Sequence, residues 1–482
     1  MLTSKWEFVR KRDAHGRVVR YKARLTIRGC QQQRGVNYWE TYAPVVCAEA
    51  VRFVLVLALM RGYQARHVDF VTAFLNGAIE DDVVIYMAQP EFFDDGSGRV
   101  CLLKRSLYGL KQAPRIWYQT LDTWLRAHGW HRSRMDDGVF WRAVGNEFVF
   151  LTVYVDDLIL VGTPENNEMV LREIQGRFRV KDLGEVRHLL AMEVKMIPGR
   201  VLTISQEHYI EVVLTHFGMQ HCAPVSTHQV CGDYLEKPEE PYGSDVNDPA
   251  IPYQEVVGAL QYLVHCSRPD IASVVRHLGQ FVSCYTATHF ERAKRVLQYL
   301  QGTKSFGLKW TVPRHYELGQ PMTLDAYADA DLGNDPFDHH KSVAGHALQL
   351  NGCTFGWKSK KEGVVTEDTR STEFVAASMC STMIVMFQNL CQELKVQLEK
   401  TTLYQDNQGT IAVLKSNRGN YKVRGLRLKY HKVRSLCEEG AFRVVYCPSA
   451  EMTADILTKP LEVGSYQKLR AALNVVDLNS SV

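Results

Sequence analysis

The sequence predicts an α+β chain of more than one domain, with two separate sets of carboxylates, and three observations predict it. Across Leu151–Gly162, LTVYVDDLILVG, two runs of β-branched and aliphatic residues flank Asp156 and Asp157, the pattern of a tight β-hairpin with acids at its turn. After an acidic, Pro-containing stretch, Glu236–Pro249, and a block with helical apolar spacing, a second series of acids begins at LDAYADAD, Leu324–Asp331. With 482 residues, 46% of them hydrophobic and 23% charged, the chain can bury a large core and should divide into domains.

Taken in order, the elements build toward two acidic centres. Asp69 in HVDFVTAFLNG follows a short strand-like run and precedes an apolar segment that carries Phe74. Leu102–Tyr118, LLKRSLYGLKQAPRIWY, mixes cations with aromatics and holds a glycine that permits close backbone approach. The arms of the hairpin are expected at Val149–Val155 and Leu158–Val161. Adjacent acids repel, and an apolar turn seldom keeps them without a cation. Three carboxylates from two strands suit a pair of magnesium ions, which take oxygen ligands and bridge substrate phosphates. Helices are expected over Tyr253–His265 and Phe290–Gln301, strands near Gly345–Trp357, and a further helix around Glu373–Leu394.

These strings, in their order, carry a resemblance. ETYAPVV, HVDFVTAFLNG, LLKRSLYGLKQAPRIWY and YVDD, continued by FRVKDLGE, YQEVVGALQYL, SRPDIA and AKRVLQYLQGTKSFGL, resemble the reverse transcriptase of copia-type long-terminal-repeat retrotransposons over nearly the whole chain. The resemblance implies a palm-and-fingers polymerase with Asp69, Asp156 and Asp157 as metal-binding carboxylates. It places Phe74 beneath the sugar, where its bulk would exclude a ribose 2'-hydroxyl, against the alternative of plain core packing. It places Lys22 and Arg24 on the incoming triphosphate, and Tyr108, Gly109 and Lys111 along the nucleotide and template pocket.

The second half resembles the ribonuclease H domain that follows the polymerase in such elements. That implies a mixed α/β fold in which Asp329 ends the first strand, Glu373 lies on the first helix, Asp406 ends a later strand and Asp455 opens a terminal helix. Asp331 is a bystander that could be mistaken for Asp329. The chain departs from the family at Ser371, where a further Glu is usual, at Leu332 for Trp, at Ala191 for Gly, and at RGLRL, Arg424–Leu428, for a KHIDI-like string. None removes an expected ligand.

The implied division is residues 1–230 for reverse transcriptase with fingers truncated at their start, 231–318 for a linker and helical connection, 319–460 for the ribonuclease H-like domain, and 461–482 for a polar tail. The implied function is RNA-directed DNA synthesis followed by degradation of RNA in the hybrid. Magnesium or manganese is the implied cofactor, and RNA template, DNA primer, RNA:DNA hybrid and deoxynucleoside triphosphates are the implied partners. Integrase and capsid portions of a parent polyprotein are implied too, in a cytoplasmic virus-like particle or the nucleus. A decayed relic that only binds nucleic acid is the alternative.

Composition narrows the remaining choices. Twelve cysteines without a C-x-x-C pair argue against a zinc ribbon and fit free thiols in a reducing compartment. The aliphatic run near Phe53–Met60 is far too short to span a membrane, and the start lacks an apolar signal core. Net charge is only +4, yet residues 1–34 and 415–434 each carry +8, which leaves the remainder at −12. Two basic patches on an acidic chain fit binding to a phosphate backbone, and Lys415, Arg418, Lys422 and Arg424 are candidate nucleic-acid-binding residues.

Overall fold

The DD hairpin forms where its two apolar arms place it. Strands β8 (Glu147–Tyr154) and β9 (Asp157–Gly162) pair antiparallel with Tyr154 opposite Asp157, so Val155 and Asp156 make a two-residue loop. The structure is a computed structural model and describes every residue except 13–16, 81, 233–234, 241–242, 334–340, 364–367, 416–423 and 481–482. Two units divide the chain: residues 1–47 with 65–185, and residues 48–64 with 186–482.

In the first unit the hairpin sits within a six-stranded sheet. Its order is β10 (Val180–Glu185), β3 (Gln64–Phe70), β9, β8, β7 (Val139–Val144) and β6 (His131–Arg132). Helices α2 (Ala113–Ala127) and α3 (Pro164–Arg177) supply Trp117, Leu121, Val170 and Ile174 to the core that also takes Val68, Phe70, Leu151 and Leu160 from the sheet. Two smaller antiparallel pairs stand apart from that sheet: β1 (Ser4–Arg12) with β2 (Val18–Ile27), and β4 (Tyr86–Ala88) with β5 (Val100–Leu102).

The second unit holds two five-stranded sheets. One is antiparallel throughout, in the order β11 (His188–Leu189), β12 (Met192–Ile197), β13 (Val201–Ser205), β14 (Phe306–Thr311), β20 (Val475–Asp477). Ala191, where the family usually has Gly, lies in the left-handed region at φ 52°, a conformation in which glycine carries no Cβ penalty. The other sheet runs β17 (Cys353–Lys361), β16 (Val343–Leu350), β15 (Leu324–Asp331), β18 (Thr402–Gln405), β19 (Arg443–Tyr446). Its first three strands are an antiparallel meander, while β18 lies parallel to β15 and β19 parallel to β18. This mixed sheet, the antiparallel sheets and the helices packed on them make the chain α+β.

Helix α8 (Thr369–Glu393) packs on β15 and β16. At 25 residues, with a mean hydropathy of 1.5 over its most apolar stretch, it is long and apolar enough to cross a membrane, yet 61% of that stretch is buried in the protein. Ser371, the position of the usual second Glu, instead takes part in the helix cap, its N–H and Oγ bonded to the Asp368 carboxylate at 2.8 and 2.9 Å.

The expected helices over 253–265 and 290–301 are α5 (Tyr253–Cys266) and α7 (Ala287–Gly302); α4 (Glu207–His216) and α6 (Ala272–Gly279) join them in this unit. Helix α1 (Ala48–Arg61), inside the span read as polymerase, packs with the second unit. It is apolar all round and buries twelve residues, and a helix with no polar face has to sit inside a core. Its fully buried Arg52 donates to the carbonyls of Phe355 at 2.7 Å and His265 at 2.7 Å and lies 3.8 Å over the Trp357 ring.

Residues 461–480 are not the polar tail expected. Helix α11 (Val463–Ala472) and edge strand β20 complete the antiparallel sheet, with Leu473 and Val475 fully buried. A three-residue strand is too short for alternation to show in sequence, so no local pattern announces its pairing.

Candidate functional site

Sheet order brings the first acids together. Strand β3 lies beside β9, and the Phe70 N–H donates to the Asp156 carbonyl at 3.0 Å, which puts Asp69 and the hairpin loop side by side. Both carboxylates line a cavity of about 370 Å³. The DD pair splits, with Asp156 in the hairpin loop and Asp157 at the start of β9. Asp157 turns to His67 Nε2 at 3.0 Å and is not among the cavity's lining residues.

Strained backbone flanks the acids. Val155 and Thr72 both sit at φ 56°, where β-branched residues rarely go, at a cost on the order of 1–3 kcal/mol each. Trp117 Nε1 holds the loop by donating to the Val155 carbonyl at 2.7 Å.

The opposite wall comes from the β1–β2 pair. Alternation puts Arg20, Lys22 and Arg24 of β2 on one face, and all three line the cavity with Lys11. Arg24 lies 4.4 Å over the Tyr108 ring, and Tyr108 meets Phe74 edge-on at 5.0 Å. Phe74 is partly buried between two apolar clusters and does not line the cavity. Gly109 has φ 93°, and a Cβ there would fall 2.1 Å from the Ile27 carbonyl oxygen, so only glycine lets Tyr108 dock on β2. Lys111 points elsewhere, its Nζ 3.3 Å from the Tyr38 hydroxyl. Lys181, which the sequence did not single out, stands 4.0 Å from Asp69.

Although Asp156 reaches solvent, desolvation by its crowded surroundings raises its carboxyl above the usual range, with Asp157 and Asp69 adding to the shift. Lys22 is lowered by burial and by Arg24 and Lys11, partly offset by Asp156 and Asp69. The two signs of charge face each other across the cavity.

In the second unit, β15 carries Asp329, a short 3-10 turn (Thr453–Leu457) carries Asp455, and Asp406 follows the end of β18. Because β18 pairs parallel with β15, their C-terminal ends converge. One carboxylate oxygen from each of the three acids lies within 4.8 Å of the others. Asp329 and Asp455 are 1% and 5% exposed. Glu373, buried on α8, stands beside this triad and accepts from Gln405 Nε2 at 2.6 Å. Asp331 lies outside the triad, on the wall of a neighbouring cavity.

Burial dominates the electrostatics here. Burial and Asp329 push the Asp455 carboxyl up to about 8, and Glu373 is raised well above the carboxylate range by burial, Asp329 and Asp406. Asp406 is raised by burial and Asp329, against a hydrogen bond from Ser449 Oγ at 2.9 Å. Thr458 Oγ donates to Asp329, and Lys459 Nζ sits 3.0 Å from Asp455 and 3.9 Å from Asp329. Neither residue was expected from the sequence, where TADILTKPL offers a lone lysine without visible partner. Asp455 Oδ1 is buried with no hydrogen-bond partner, and the donor set is all carboxylate oxygen, which suits a hard divalent cation.

Of the basic patch, Lys415 ends α9 (Gln408–Lys415) and is exposed. Arg418 and Lys422 lie outside the described residues, as does the side chain of Arg424 at the start of α10 (Arg424–Glu438).

Residues 1–230 match the family model "Reverse transcriptase (RNA-dependent DNA polymerase)". The Retrovirus-related Pol polyprotein from transposon TNT 1-94 of Nicotiana tabacum is 33% identical over 95% of this chain and 34% of its own length. The putative transposon Ty5-1 protein of Saccharomyces cerevisiae is 31% identical over 314 residues, 64% of this chain and 98% of that protein. The chain belongs to the copia-type retrotransposon Pol family. This Pol chain spans about a third of the length of the plant Pol polyproteins it matches. Among solved structures, the Prototype Foamy Virus Protease-Reverse Transcriptase is similar at 12% identity and a TM-score of 0.25, over 95% of this chain and 52% of the other.

Proposed function

We propose that this Pol chain copies RNA into DNA at the open acid site of its first unit and cuts the RNA strand of the resulting hybrid at the buried acid site of its second. The observation that carries the reading is the converged triad of Asp329, Asp406 and Asp455, with a buried Asp455 oxygen left without a partner. We place the polymerase over residues 1–230, the connection over 231–318 and the ribonuclease H-like domain over 319–460, with integrase and capsid portions supplied by a longer polyprotein.

At the first site Asp69 and Asp156 hold the reacting end, and Asp157 supports it from the His67 side. Arg20, Lys22 and Arg24 face them and neutralise a deoxynucleoside triphosphate, while Tyr108 braces Arg24 from behind. Phe74 stands edge-on behind Tyr108, outside the cavity lining, and would limit the room beneath the sugar through that ring. At the second site Asp329, Asp406 and Asp455 present oxygens to one point, and Glu373 is kept in place by Gln405. A pair of divalent ions, magnesium or manganese, supplies at each site charge neutralisation of the phosphate and activation of the attacking oxygen. The chain's own contribution is positioning and a preset field.

The test is primer extension by the full chain on a poly-A RNA template with magnesium, run beside cleavage of a labelled RNA:DNA hybrid. Both products should form and both should vanish with chelator. Binding of the hybrid without either product would overturn the reading in favour of a relic that only holds nucleic acid.

A further inference from the structure

Lys459 occupies a place that ordinary surface pairing does not explain. The Lys459 N–H donates to the Asp455 carbonyl at 3.2 Å, so the turn carrying Asp455 fixes the lysine backbone, and its ammonium returns to that same residue's Oδ2 at 3.0 Å. The ammonium is also 3.9 Å from Asp329 Oδ2, which places one cation against two of the three converging acids. Two carboxyls buried this closely repel whenever both are ionised, and a cation beside them relieves that repulsion.

We propose that Lys459 is a built-in counter-cation of this centre: it holds Asp329 and Asp455 together in the metal-free chain, withdraws when a divalent cation binds, and thereby sets how tightly the centre takes that cation. The proposal rests on the reading of the triad as a metal centre. Lys459 engages only one Asp455 oxygen; Oδ1, buried and without a hydrogen-bond partner, is left open to a second cation. Thr458 Oγ donates to Asp329 and lies 3.0 Å from the Asp455 backbone carbonyl, so Asp329 stays tied to the turn that carries Asp455 when the ammonium leaves.

The way out is visible. Lys459 also lines a cavity of about 260 Å³, whose walls include Asp331, Lys341 and Arg276. Asp331 offers the displaced ammonium a second carboxylate two residues along β15. Lys341 and Arg276 oppose it there and bias the side chain back toward the acids. Lysine suits such a shuttle, having a compact charge on a flexible four-carbon stem. Lys459 is thus a positioning residue that competes with the cation it prepares for.

The experiment is a calorimetric titration of the full chain with manganese, comparing parent, Lys459→Met, Lys459→Gln, Lys459→Arg and Asp329→Asn. The binding step lost in Asp329→Asn defines this centre. With one competing charge removed, Lys459→Met and Lys459→Gln should tighten that step about tenfold. Lys459→Arg should stay near parental, and both neutral variants should melt lower than the parent without metal and recover with it. A step unchanged or weakened in the two neutral variants overturns the proposal, as does equal tightening in Lys459→Arg. If Asp329→Asn removes no step, the metal reading itself fails and the proposal falls with it, a result distinct from the first.

Discussion

The two acid centres collect the same residue type by opposite means. In the second unit Asp329, Asp406 and Asp455 converge to within 4.8 Å, with Asp329 and Asp455 nearly sealed from water, Asp406 partly exposed and a lysine resting on two of them. In the first unit Asp156 reaches solvent, Asp157 is drawn away by His67, and among the described residues the three acids do not form such a group. Four of its cations stand across a cavity on a separate strand pair, and Lys181 of β10 stands 4.0 Å from Asp69. A buried cluster must carry its own neutralising charge, because desolvated carboxylates cannot wait unpaired. An open centre can leave its acids apart, because water screens them until substrate arrives. Assembly before binding therefore comes with strongly shifted protonation, to about 8 at Asp455, whereas the open centre raises Asp156 as well but lacks a preformed ligand set.

The largest expected effect tests whether the centres are independent. Asp156→Asn should lower primer extension at least about a hundredfold and leave hybrid cleavage near parental, since losing a metal ligand removes several kcal/mol of charge stabilisation. Glu373→Gln should do the reverse, keeping side-chain size while weakening the anion beside the triad. Joint loss in either variant, measured by the two assays in parallel, would break the comparison.

The next effect is on stability and follows from the shifted acids. The Asp455 carboxyl is raised to about 8 in the folded chain, so between the ordinary carboxylate range and pH 8 the native state binds more protons than the unfolded one. Stability from this group is full in acid and is lost as pH rises toward 8. Metal-free protein should therefore melt several degrees lower at pH 9 than at pH 6, and Asp455→Asn should flatten that dependence. Asp156→Asn should change it less, because Asp156 reaches solvent and its carboxyl is raised less than that of Asp455. A thermal melt series in chelator that shows equal flattening by both variants would contradict the contrast between sealed and open.

Much of this was legible in the sequence because hairpins and acids write local patterns. The β8–β9 hairpin and the order of the acids could be read directly, since alternation and a polar turn are short-range signals. The sequence offers Asp156 and Asp157 as ligands together, and their split was not legible because His67 arrives from another strand, which no local pattern reports. Lys459, Thr458 and Gln405 were missed for the same reason, their partners lying far away in sequence or on another element. In sequence the apolar run of α1 says only that it is too short to span a membrane, and nothing in its residues says which unit it packs into.

A smaller effect probes the aromatic pair of the open centre. Phe74→Ala should raise ribonucleotide over deoxynucleotide incorporation about tenfold, by removing bulk next to Tyr108. The structure sharpens this test, because Phe74 also packs in two apolar clusters and the variant should melt lower too. A lower melting temperature with an unchanged incorporation ratio would make Phe74 a packing residue alone.

The smallest effect separates charge that belongs to a centre from charge that only holds the duplex. Lys22 and Arg24 line the first cavity, so their replacement should weaken triphosphate use and barely alter affinity for hybrid. Lys415 is exposed at the end of α9 and begins a twenty-residue stretch with eight Lys or Arg and no acid, hence none of the seven acids proposed as ligands. Replacing Lys415, Arg418, Lys422 and Arg424 with Gln should leave the chemistry at saturating hybrid unchanged. The slope of log affinity against log salt should become shallower by about 0.7–0.9 for each phosphate that is no longer neutralised. Binding isotherms at several salt concentrations decide it: a slope that stays put assigns the patch to solvent, and a drop in saturated cleavage rate would mean that the patch positions the hybrid in the sealed centre rather than merely attracting it.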